Sequence, residues 1–443
     1  MSTYLRESVL TNETDGIHLA LATATGLAPG GLVVESPLFF SGLVAKPQIT
    51  GPGILAVADV AASRYADLGV AAKLASIDPV VTAGGDRLRF ESFSACNGVY
   101  ARLDLLPAAL GEAEVGFGTT NVDINLPLRT ALARVNQADP LHLSVGTSEL
   151  RVSSPSQTFV ERKVKLPERW IRGLAEVPGL CAEMDQVCSL SGAEIAILLA
   201  RLPRTQPPGD NLFLKRLGRT WHLSHRNLPG AIPLPGSARL RGSDRIARLA
   251  TKLTIHQHQF GATAWVFHLD GAQFTLALSP NPFRGFSGEG TLLTLLARSD
   301  AERTGREILG LLGWSPTVDA TELANESGLD RATVRGGLAW LAASGRLGYD
   351  LVDGAWFHRE LPIDAEKVLS RNPRLTAARR LVTAAKVHSS ADGWLVNGDH
   401  GNYRVGLDNT CTCPWVAEHG GSRGPCKHLL AVAISLRDPI GEV

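Results

Sequence analysis

The chain has 443 residues, of which 44% are apolar and 20% are charged. This length exceeds that of one ordinary domain, and the composition is typical of folded proteins rather than disordered chains. Because 44 Lys and Arg residues almost balance 43 Asp and Glu residues, a charge field over the whole molecule is excluded and any charged binding surface must be local.

The sequence contains no apolar run of about 18 residues that would span a bilayer. Its first ten residues, MSTYLRESVL, lack the basic-then-apolar order of a signal peptide. We therefore expect a cytoplasmic protein. Six cysteines are too few for a disulfide scaffold, so in a reducing compartment clustered cysteines indicate a metal site and scattered ones indicate burial.

The first region, residues 1–297, mixes strand-like and helix-like patterns, which predicts an α+β fold of unknown role. Alternating apolar runs typical of strands occur at 88–93, 141–146 and 274–279. Helical spacing occurs at 126–135, 168–177 and 192–202.

Two of these helices are each followed by a strand-like pair, at 141–152 and 212–224. The order of helix and then hairpin indicates a degenerate repeat and has a faint similarity to the unit of sliding-clamp folds. Because no diagnostic motif accompanies this order, a generic α+β region is the favoured prediction.

A basic stretch runs from Arg201 to Lys252. It contains eleven Lys and Arg residues against two Asp residues, a local charge of eleven minus two, or +9. Such a stretch can attract phosphates or an acidic protein surface. The more ordinary arrangement is favoured, in which the cations lie on solvated faces of strands and a helix and are balanced by acidic residues elsewhere in the chain. Trp221 and His225 lie among the cations, but a single Trp is a weak platform for base stacking.

The middle region, residues 298–363, has the clearest helix signals. Capping residues at Ser299, Asp319 and Asp330 predict three helices. They are expected over 300–313, 320–327 and 331–344. An Asp353-Gly354 turn then joins two strand-like segments into a hairpin, at 347–351 and 355–361.

Three helices followed by a hairpin resemble a winged helix-turn-helix domain, and the resemblance implies a third helix placed in the DNA major groove. Here that helix offers only Arg331 and Arg335 as cations, and the Gly336-Gly337 pair weakens it. Phosphate neutralisation needs several cations on one face. A structural or protein-docking role is therefore favoured over DNA reading.

One motif near the end of the chain has metal-binding spacing. Cys411-Thr-Cys413 is followed, after twelve residues, by Cys426-Lys-His428. Three thiolates and one imidazole fill the tetrahedral shell of Zn²⁺ and leave no open position for a substrate. The sequence therefore predicts one structural zinc ion bound by these four residues. His419 is the competing fourth ligand, but its Gly-rich surroundings are typical of a solvated loop.

Strand-like segments at 393–398 and 402–407 precede the motif, and a helix is predicted from Cys426 to Leu436. This gives a ββα unit within a third region, residues 371–443. Its apolar stripe is Leu429, Val432, Ala433 and Leu436. Because so small a unit has a thin core, the metal should supply on the order of 10 kcal/mol of its folding free energy.

The segment CTCPWVAEHGGSRGPCKHLLAV resembles a SWIM zinc finger, whose signature is C-x-C, a variable spacer and C-x-H. The resemblance covers roughly residues 375–443. It implies zinc-ligand roles for the four motif residues and a DNA-binding or protein-interaction function rather than catalysis. Bacterial proteins with this finger are often associated with a MoxR-type AAA ATPase and a von Willebrand A-domain protein, so the resemblance implies a partner of one of these kinds.

The cations beside the motif are candidates for the surface that contacts a partner. An ordinary exposed helix face explains them equally well. Two of them, Arg423 and Lys427, lie near the predicted zinc. The others precede the strands, at Arg371, Arg374, Arg379, Arg380 and Lys386.

Other candidate groups have weaker signals. His256, His258 and His268 have no fourth potential ligand at a spacing typical of metal sites. We therefore predict that they are hydrogen-bonded strand residues rather than a second metal site. Cys96, Cys181 and Cys188 are scattered among apolar residues and predict burial.

The sequence as a whole favours a non-enzymatic, zinc-binding adaptor that binds a protein, DNA or both. The first alternative is a DNA-binding transcriptional regulator that uses the winged helix. The second is an enzyme with its site in the N-terminal region, for which no paired catalytic motif is present.

Overall fold

The computed structural model describes residues 9–13, 16–20, 26–27, 33–34, 38–65, 79–111, 113–155, 157–163, 166–205, 212–218, 220–282, 284–286, 288, 291–312, 314–361, 370, 372–420 and 423–436. Helices and strands are both abundant in these ranges, as predicted for an α+β chain. No helix within them combines the length and the apolar character needed to cross a membrane.

The N-terminal part of the described chain contains twenty strands and seven α-helices. The strands are β1 (Val9–Glu13), β2 (Gly16–Ala20), β3 (Gly26–Leu27), β4 (Val33–Val34), β5 (Leu38–Leu43), β6 (Val80–Gly84), β7 (Leu88–Phe93), β8 (Val99–Leu105), β9 (Phe117–Asn121), β10 (His142–Gly146), β11 (Glu149–Ser153), β12 (Thr158–Arg162), β13 (Leu166–Pro167), β14 (Asp185–Ser191), β15 (Leu212–Leu217), β16 (Thr220–Ser224), β17 (Ile232–Leu234), β18 (Lys252–Gln257), β19 (Thr263–Leu269) and β20 (Ala272–Leu278). The helices are α1 (Pro47–Ala62), α2 (Pro107–Leu110), α3 (Leu126–Leu132), α4 (Glu168–Cys181), α5 (Gly192–Arg201), α6 (Asp244–Ala247) and α7 (Leu292–Leu296), with a 3₁₀ helix at Ser237–Ser243.

An antiparallel sheet of eight strands forms the centre of this part, in the order β14-β18-β19-β20-β8-β7-β6-β9. Its central strands β6, β7, β8 and β20 are buried along their whole length. Because side chains alternate along a strand, Phe90 and Leu103 pack with α1 on one face. Phe93 and Tyr100 pack with α4 on the other face. Both faces of the sheet are therefore covered.

Smaller sheets flank the central one. They have the orders β12-β11-β10-β5, β16-β15-β17, β1-β2-β13 and β3-β4. The predicted helices appear as α3, α4 and α5, and the two predicted strand pairs after α3 and α5 appear as β10–β11 and β15–β16. The sequence pattern missed α1, because this helix is buried on nearly all sides and carries no polar stripe.

The middle region contains the three helices and the hairpin in the predicted order. Their bounds are α8 (Ala301–Leu311), α9 (Ala320–Ser327), α10 (Arg331–Ala343), β21 (Leu347–Asp350) and β22 (Ala355–His358). Asp319 and Asp330 cap α9 and α10, since each carboxylate accepts two backbone N–H groups. The expected cap at Ser299 is wrong: α8 begins after Asp300, whose carboxylate pairs with Arg298 instead.

The third helix, α10, lies at the centre of this region. From Thr333 to Ala343 every side chain except that of Arg335 is buried, and at the start only Arg331 and Ala332 are exposed. The exposed face of this helix is limited to Arg331, Ala332 and Arg335, which gives only two cations to a DNA groove. The assignment of these residues to the winged-helix class stays a prediction.

One glycine of the pair in α10, Gly337, lies in close contact with α8. A Cβ atom on Gly337 would lie 2.8 Å from Cγ2 of Thr304, 2.9 Å from Cδ1 of Ile308 and 3.1 Å from the backbone nitrogen of Gly305. The absence of a side chain therefore lets the two helices approach each other.

Replacing Gly337 with alanine should destabilise the protein by about 1–3 kcal/mol, because overpacking outweighs the better helix propensity of alanine. Gly310 in α8 is the matched control, since a Cβ atom there meets nothing within 4 Å. Gly310→Ala should stabilise by about 0.5–1 kcal/mol. Thermal unfolding of the two variants measures both effects, and equal shifts of Tm would contradict the close-contact explanation.

The hairpin β21–β22 is held on the second face of the eight-stranded sheet by buried ion pairs. Asp350 lies 3.0 Å from Nη1 of Arg89 and 2.9 Å from Nη2 of Arg102, and Asp104 completes the cluster at 2.7 and 2.8 Å from the same two residues. All four side chains are at most 2% exposed. The guanidinium group of Arg89 also lies 3.8 Å above the ring of Phe357.

A second buried pair follows β22, where Nη1 of Arg359 donates to Glu91 at 2.7 Å. The other terminal nitrogen of Arg359 donates to the carbonyl oxygens of Leu174 and Leu347 at 3.0 and 3.1 Å. The hairpin of the middle region is thus built into the N-terminal core. The division of the chain at 1–297, 298–363 and 371–443 stays a prediction.

The last part of the described chain contains three helices and three strands, one strand more than predicted. They are α11 (Pro373–Thr383), β23 (Val387–Ser390), β24 (Gly393–Gly398), β25 (Gly401–Gly406), α12 (Pro414–His419) and α13 (Lys427–Ser435). One apolar cluster joins this unit to the middle region and includes Leu296, Leu341, Leu375, Val396 and Leu430.

Candidate metal centre

The four residues of the cysteine and histidine motif meet in one buried cluster. The candidate ligand atoms of Cys411, Cys413, Cys426 and His428 all lie within 4.8 Å of one another. The residues are between 1% and 7% exposed. A tetrahedral Zn²⁺ site with bonds of about 2.3 Å to sulfur and 2.0 Å to nitrogen separates its ligand atoms by about 3.5–3.8 Å. The cluster therefore has the size and the donor set of a zinc site.

The two N-terminal cysteines are positioned by the end of the sheet and the start of α12. Cys411 forms an isolated antiparallel bridge with Val405 of β25. Cys413 is the N-cap of α12, with extended backbone, and its carbonyl oxygen accepts the N–H groups of Val416 and Ala417 at 3.1 Å. Pro414 occupies the first turn of α12, where its missing N–H has no cost.

The other two residues are positioned by the start of α13. Cys426 is its N-cap, and the sulfur accepts the N–H of Leu429 at 3.4 Å. Nδ1 of His428 lies 3.8 Å from the sulfur of Cys411 and 4.0 Å from that of Cys426. Nε2 of His428 is buried and has no hydrogen-bond partner among the described residues. Nδ1 is therefore the nitrogen that faces the cluster.

The three sulfurs do not ionise equally. The thiol of Cys411 and the ring of His428 hydrogen-bond to the sulfur of Cys426 and lower its pKa to about 4. The same contact with Cys426 raises the pKa of Cys411, and burial raises the pKa of Cys413. A second and a third thiolate in this small buried volume need a cation to balance their charge, and Zn²⁺ supplies one.

The ring of His428 is held by Tyr403 of β25, which stacks on it with a centroid distance of 4.4 Å and an interplanar angle of 27°. Such aromatic contacts contribute about 0.5–1.5 kcal/mol. Tyr403→Ala should therefore weaken zinc binding about two- to tenfold, because the imidazole loses its fixed orientation. Tyr403→Phe should bind zinc as the natural chain does. Competition with a chromophoric chelator measures both affinities, and equal affinities of the two variants would show that the stack has no such role.

His419, the competing ligand, does not join the cluster. It lies in the last turn of α12, with its ring 4.5 Å from that of Trp415 and its Nε2 3.4 Å from Nη1 of Arg423. The segment expected to be a Gly-rich loop begins as this helix, which Gly420 ends with a left-handed backbone at φ 53°. His428 is the imidazole that the structure places beside the sulfurs.

Two of the candidate contact-surface cations hold the spacer in place. The guanidinium groups of Arg374 and Arg423 lie 4.9 and 4.8 Å from the ring of Trp415. Arg374 also donates to the carbonyl oxygens of Arg423, Pro425 and Gly288. These two arginines therefore stabilise the finger and its contact with the N-terminal part.

The remaining candidate cations carry less free charge than the sequence indicates. Arg380 and Lys386 both pair with Asp399, at 3.4 and 3.3 Å. Arg379 and Lys427 are half-buried. Arg371 lies outside the described residues.

The helix that follows the motif differs in phase from the expected apolar stripe. Leu436 is 58% exposed, whereas Leu430 and Ile434 are buried. The helix α13 packs against α11 as well as against the sheet, so its buried face is wider and rotated relative to the stripe.

The weaker histidine and cysteine candidates form no second metal cluster within the described residues. His258 is fully buried, contacts Glu183 at 3.0 Å through Nε2 and accepts the N–H of Phe260 through Nδ1. Nε2 of His268 lies 3.3 Å from the hydroxyl of Thr254. Cys96 and Cys181 are buried as predicted, whereas Cys188 is half-buried.

Solved structures of proliferating cellular nuclear antigens are similar to part of the chain. The protein from Entamoeba histolytica is 9% identical over 55% of this chain and 100% of that chain, with a TM-score of 0.38. The PCNA2–PCNA3 complex from Sulfolobus tokodaii is 11% identical over 55% of this chain and 99% of that chain, with a TM-score of 0.41. The PCNA of A. fulgidus with the bound C-terminal region of FEN-1 is 13% identical over 55% of this chain and 98% of that chain, with a TM-score of 0.36. No curated protein matches the chain. At these TM-scores the similarity supports no statement about function.

The family model of the SWIM zinc finger matches residues 394–437. The match begins in β24 and ends beyond α13, and it includes all four residues of the buried cluster. The order of strands, C-x-C, spacer, C-x-H and helix is the order described above. This part of the chain is therefore a SWIM zinc finger.

Proposed function

We propose that Cys411, Cys413, Cys426 and His428 bind one structural Zn²⁺ ion and that the chain is a non-enzymatic adaptor for a macromolecular partner. The observation that carries this proposal is the buried, closed set of three sulfurs and one imidazole nitrogen within 4.8 Å. When bound, the ion cross-links the end of the sheet to the start of α13. Four protein ligands complete its tetrahedral shell, so no position remains for a substrate.

The free surfaces favour a protein partner over duplex DNA. The helix α10 is buried, and the hairpin β21–β22 is docked on the sheet through Asp350. Exposed Arg380 and half-buried Lys386 both pair with Asp399, so these three residues leave a net charge of only +1 for phosphates on that side of the finger. The winged-helix regulator therefore has less support than the adaptor.

Two open grooves of the described chain lack a paired acid and base, whereas a third, of about 350 Å³, is lined by Asp86 and Glu114. The groove between α3 and β12, with a volume of about 650 Å³, is lined by no carboxylate, imidazole or thiol. The groove beside β14, of about 630 Å³, contains Cys188, whose pKa burial raises to about 12. A thiol with this pKa is a poor nucleophile near neutral pH.

Binding of the purified full chain to candidate partners tests the adaptor role. By family resemblance the candidates are a MoxR-type AAA ATPase and a von Willebrand A-domain protein from the same cell, with duplex DNA as the third ligand. We expect one of the two proteins to bind with an affinity that changes little between 50 and 300 mM salt, whereas DNA binding would weaken steeply.

The Cys426→Ser chain shows whether the finger is required, with Cys96→Ser as the matched control, because the sulfur of Cys96 contacts the hydroxyl of Ser94 away from the finger and the grooves. We expect only Cys426→Ser to lose the partner. Binding of neither protein, or binding that survives loss of zinc, would refute the adaptor role. Tight and salt-sensitive binding of duplex DNA would favour the regulator.

A further inference from the structure

The strand β14 forms one edge of the eight-stranded sheet in the part of the chain that the structure describes. There it pairs with β18 alone, and five of its seven residues are exposed, including Val187 at 43%. An edge strand presents backbone N–H and C=O groups to any extended chain that can approach it. A bulge at Val187 interrupts the ladder with β18, so the regular part of the edge is Cys188–Ser191. So short an edge is less prone to pair with unrelated strands.

A groove of about 630 Å³, which we name the edge groove, lies beside this strand. Its other wall comes from the sheet β16-β15-β17 and includes Lys215, Arg216 and Trp221. Ile232 and Gln257 also line it, and no carboxylate does among the described residues. The edge groove therefore combines a free strand edge, an aromatic ring and two cations.

Some cations of the basic stretch from Arg201 to Lys252 are engaged by other groups of the protein, and others are not. Arg239 is buried and donates to carbonyl oxygens, Arg241 donates to Leu202, and Arg245 pairs with Asp59. Lys215 donates to the carbonyl oxygen of Pro229, which leaves its positive charge unneutralised. Arg216 is exposed and lies 5.7 Å from the ring of Trp221. Two free charges of the stretch thus lie at the edge groove, while Arg201, Arg204, Arg226, Arg248 and Lys252 are exposed outside it.

One carboxylate lies near Arg216 but is engaged elsewhere. Glu194 accepts the N–H and the hydroxyl of Ser191, both at 2.8 Å, as part of the capping box of α5. These hydrogen bonds lower the pKa of Glu194 and hold its charge at the helix start. Arg216 forms no ion pair within the described residues, so it remains available to a ligand.

We propose that the edge groove binds an extended acidic segment of a partner protein. The segment adds a strand to β14 and places carboxylates against Lys215 and Arg216. Single-stranded nucleic acid fits less well. Its phosphates only accept hydrogen bonds, so they cannot pair with the carbonyl groups of β14, and a single Trp offers little stacking for the bases. This site lies outside the zinc finger and does not depend on zinc.

Selection from a library of ten-residue peptides displayed against the full chain tests the proposal. We expect the selected peptides to carry Asp or Glu at alternate positions and to lack proline. For a synthetic selected peptide, Lys215→Glu with Arg216→Glu should weaken binding about tenfold or more. The matched control is Arg201→Glu with Arg204→Glu, two exposed cations outside the groove, and should leave the affinity unchanged.

The backbone contact is tested with the same peptide N-methylated at alternate residues, in each of the two registers. Only the register whose N–H groups face β14 should lose binding. The zinc-free Cys426→Ser chain should bind the peptide as the natural chain does, which separates this proposal from the adaptor function. Peptides that are not acidic, binding that survives the groove variant, no binding at all, or displacement by a single-stranded oligonucleotide would each overturn the proposal.

Discussion

Cys426→Ser should abolish stoichiometric zinc binding and unfold the finger. The serine hydroxyl is a poor zinc ligand, but it can replace the sulfur of Cys426 as the acceptor of the Leu429 N–H at the start of α13, so the variant isolates the loss of the metal ligand. The metal contributes on the order of 10 kcal/mol to the folding of small zinc domains, which is comparable with the whole stability of a typical domain. Metal analysis of the purified variant should find close to no zinc, against one ion per natural chain.

Limited proteolysis shows which part of the molecule unfolds. Loss of zinc should expose Leu375, Leu381 and Leu430, which are buried between α11 and α13. We expect rapid cleavage after the start of α11 and a resistant fragment that ends near Pro373, because the eight-stranded sheet does not contact the zinc cluster.

Cys188→Ser is the matched control, since it removes one sulfur from a half-buried position on β14. It should keep its zinc and its resistance to protease. Retention of one zinc ion by Cys426→Ser, or an unchanged digestion pattern after zinc loss, would contradict the structural role. Lower pH should release zinc from the natural chain, because protons compete with the metal for thiolates and imidazole.

The clustering of the four motif residues was predictable because their spacing is local. Cys411 with Cys413 and Cys426 with His428 each form a pair within three residues, so the motif is visible without the fold. The caps of α9 and α10 were predictable for the same reason, since Asp319 and Asp330 act on the helix that follows them.

Contacts between distant segments were not predictable. Tyr403 stacks on His428, and Arg374 reaches Trp415 and Gly288, without any motif that marks these residues. The helix α12 was missed because the glycines of the spacer outweighed the signal of Pro414 at its start.

The burial of the polar faces of the central strands could not be predicted from the sequence either. Arg89 and Arg102 alternate with apolar residues along β7 and β8, a pattern typical of a sheet with one solvated face. In the structure the hairpin from the middle region covers that face, and its Asp350 pairs with both arginines. Only the tertiary fold reveals that these charges are buried.

Asp350→Asn should destabilise the protein by about 3–5 kcal/mol, because it leaves Arg89 and Arg102 buried with one carboxylate instead of two. The asparagine oxygen can still accept the N–H of Val352, which Asp350 accepts at 2.9 Å, so the variant isolates the loss of charge. Asp353→Asn is the matched control. Asp353 is 24% exposed and pairs with Arg87 at the rim, so its loss should cost less than about 1 kcal/mol. Urea unfolding followed by tryptophan fluorescence compares the midpoints.

The pH dependence of stability gives a second measure of Asp350. Burial alone would raise its pKa, but Arg102 and Arg89 outweigh burial and hold the pKa well below its usual range. A carboxyl group with a depressed pKa in the folded state stabilises the protein above its unfolded pKa of about 3.9, and this contribution is lost as the pH falls below that value. The difference in stability between the natural chain and Asp350→Asn should therefore be full at pH 7 and shrink in acid. A difference that is independent of pH would mean that the cost comes from packing, not from the buried charge.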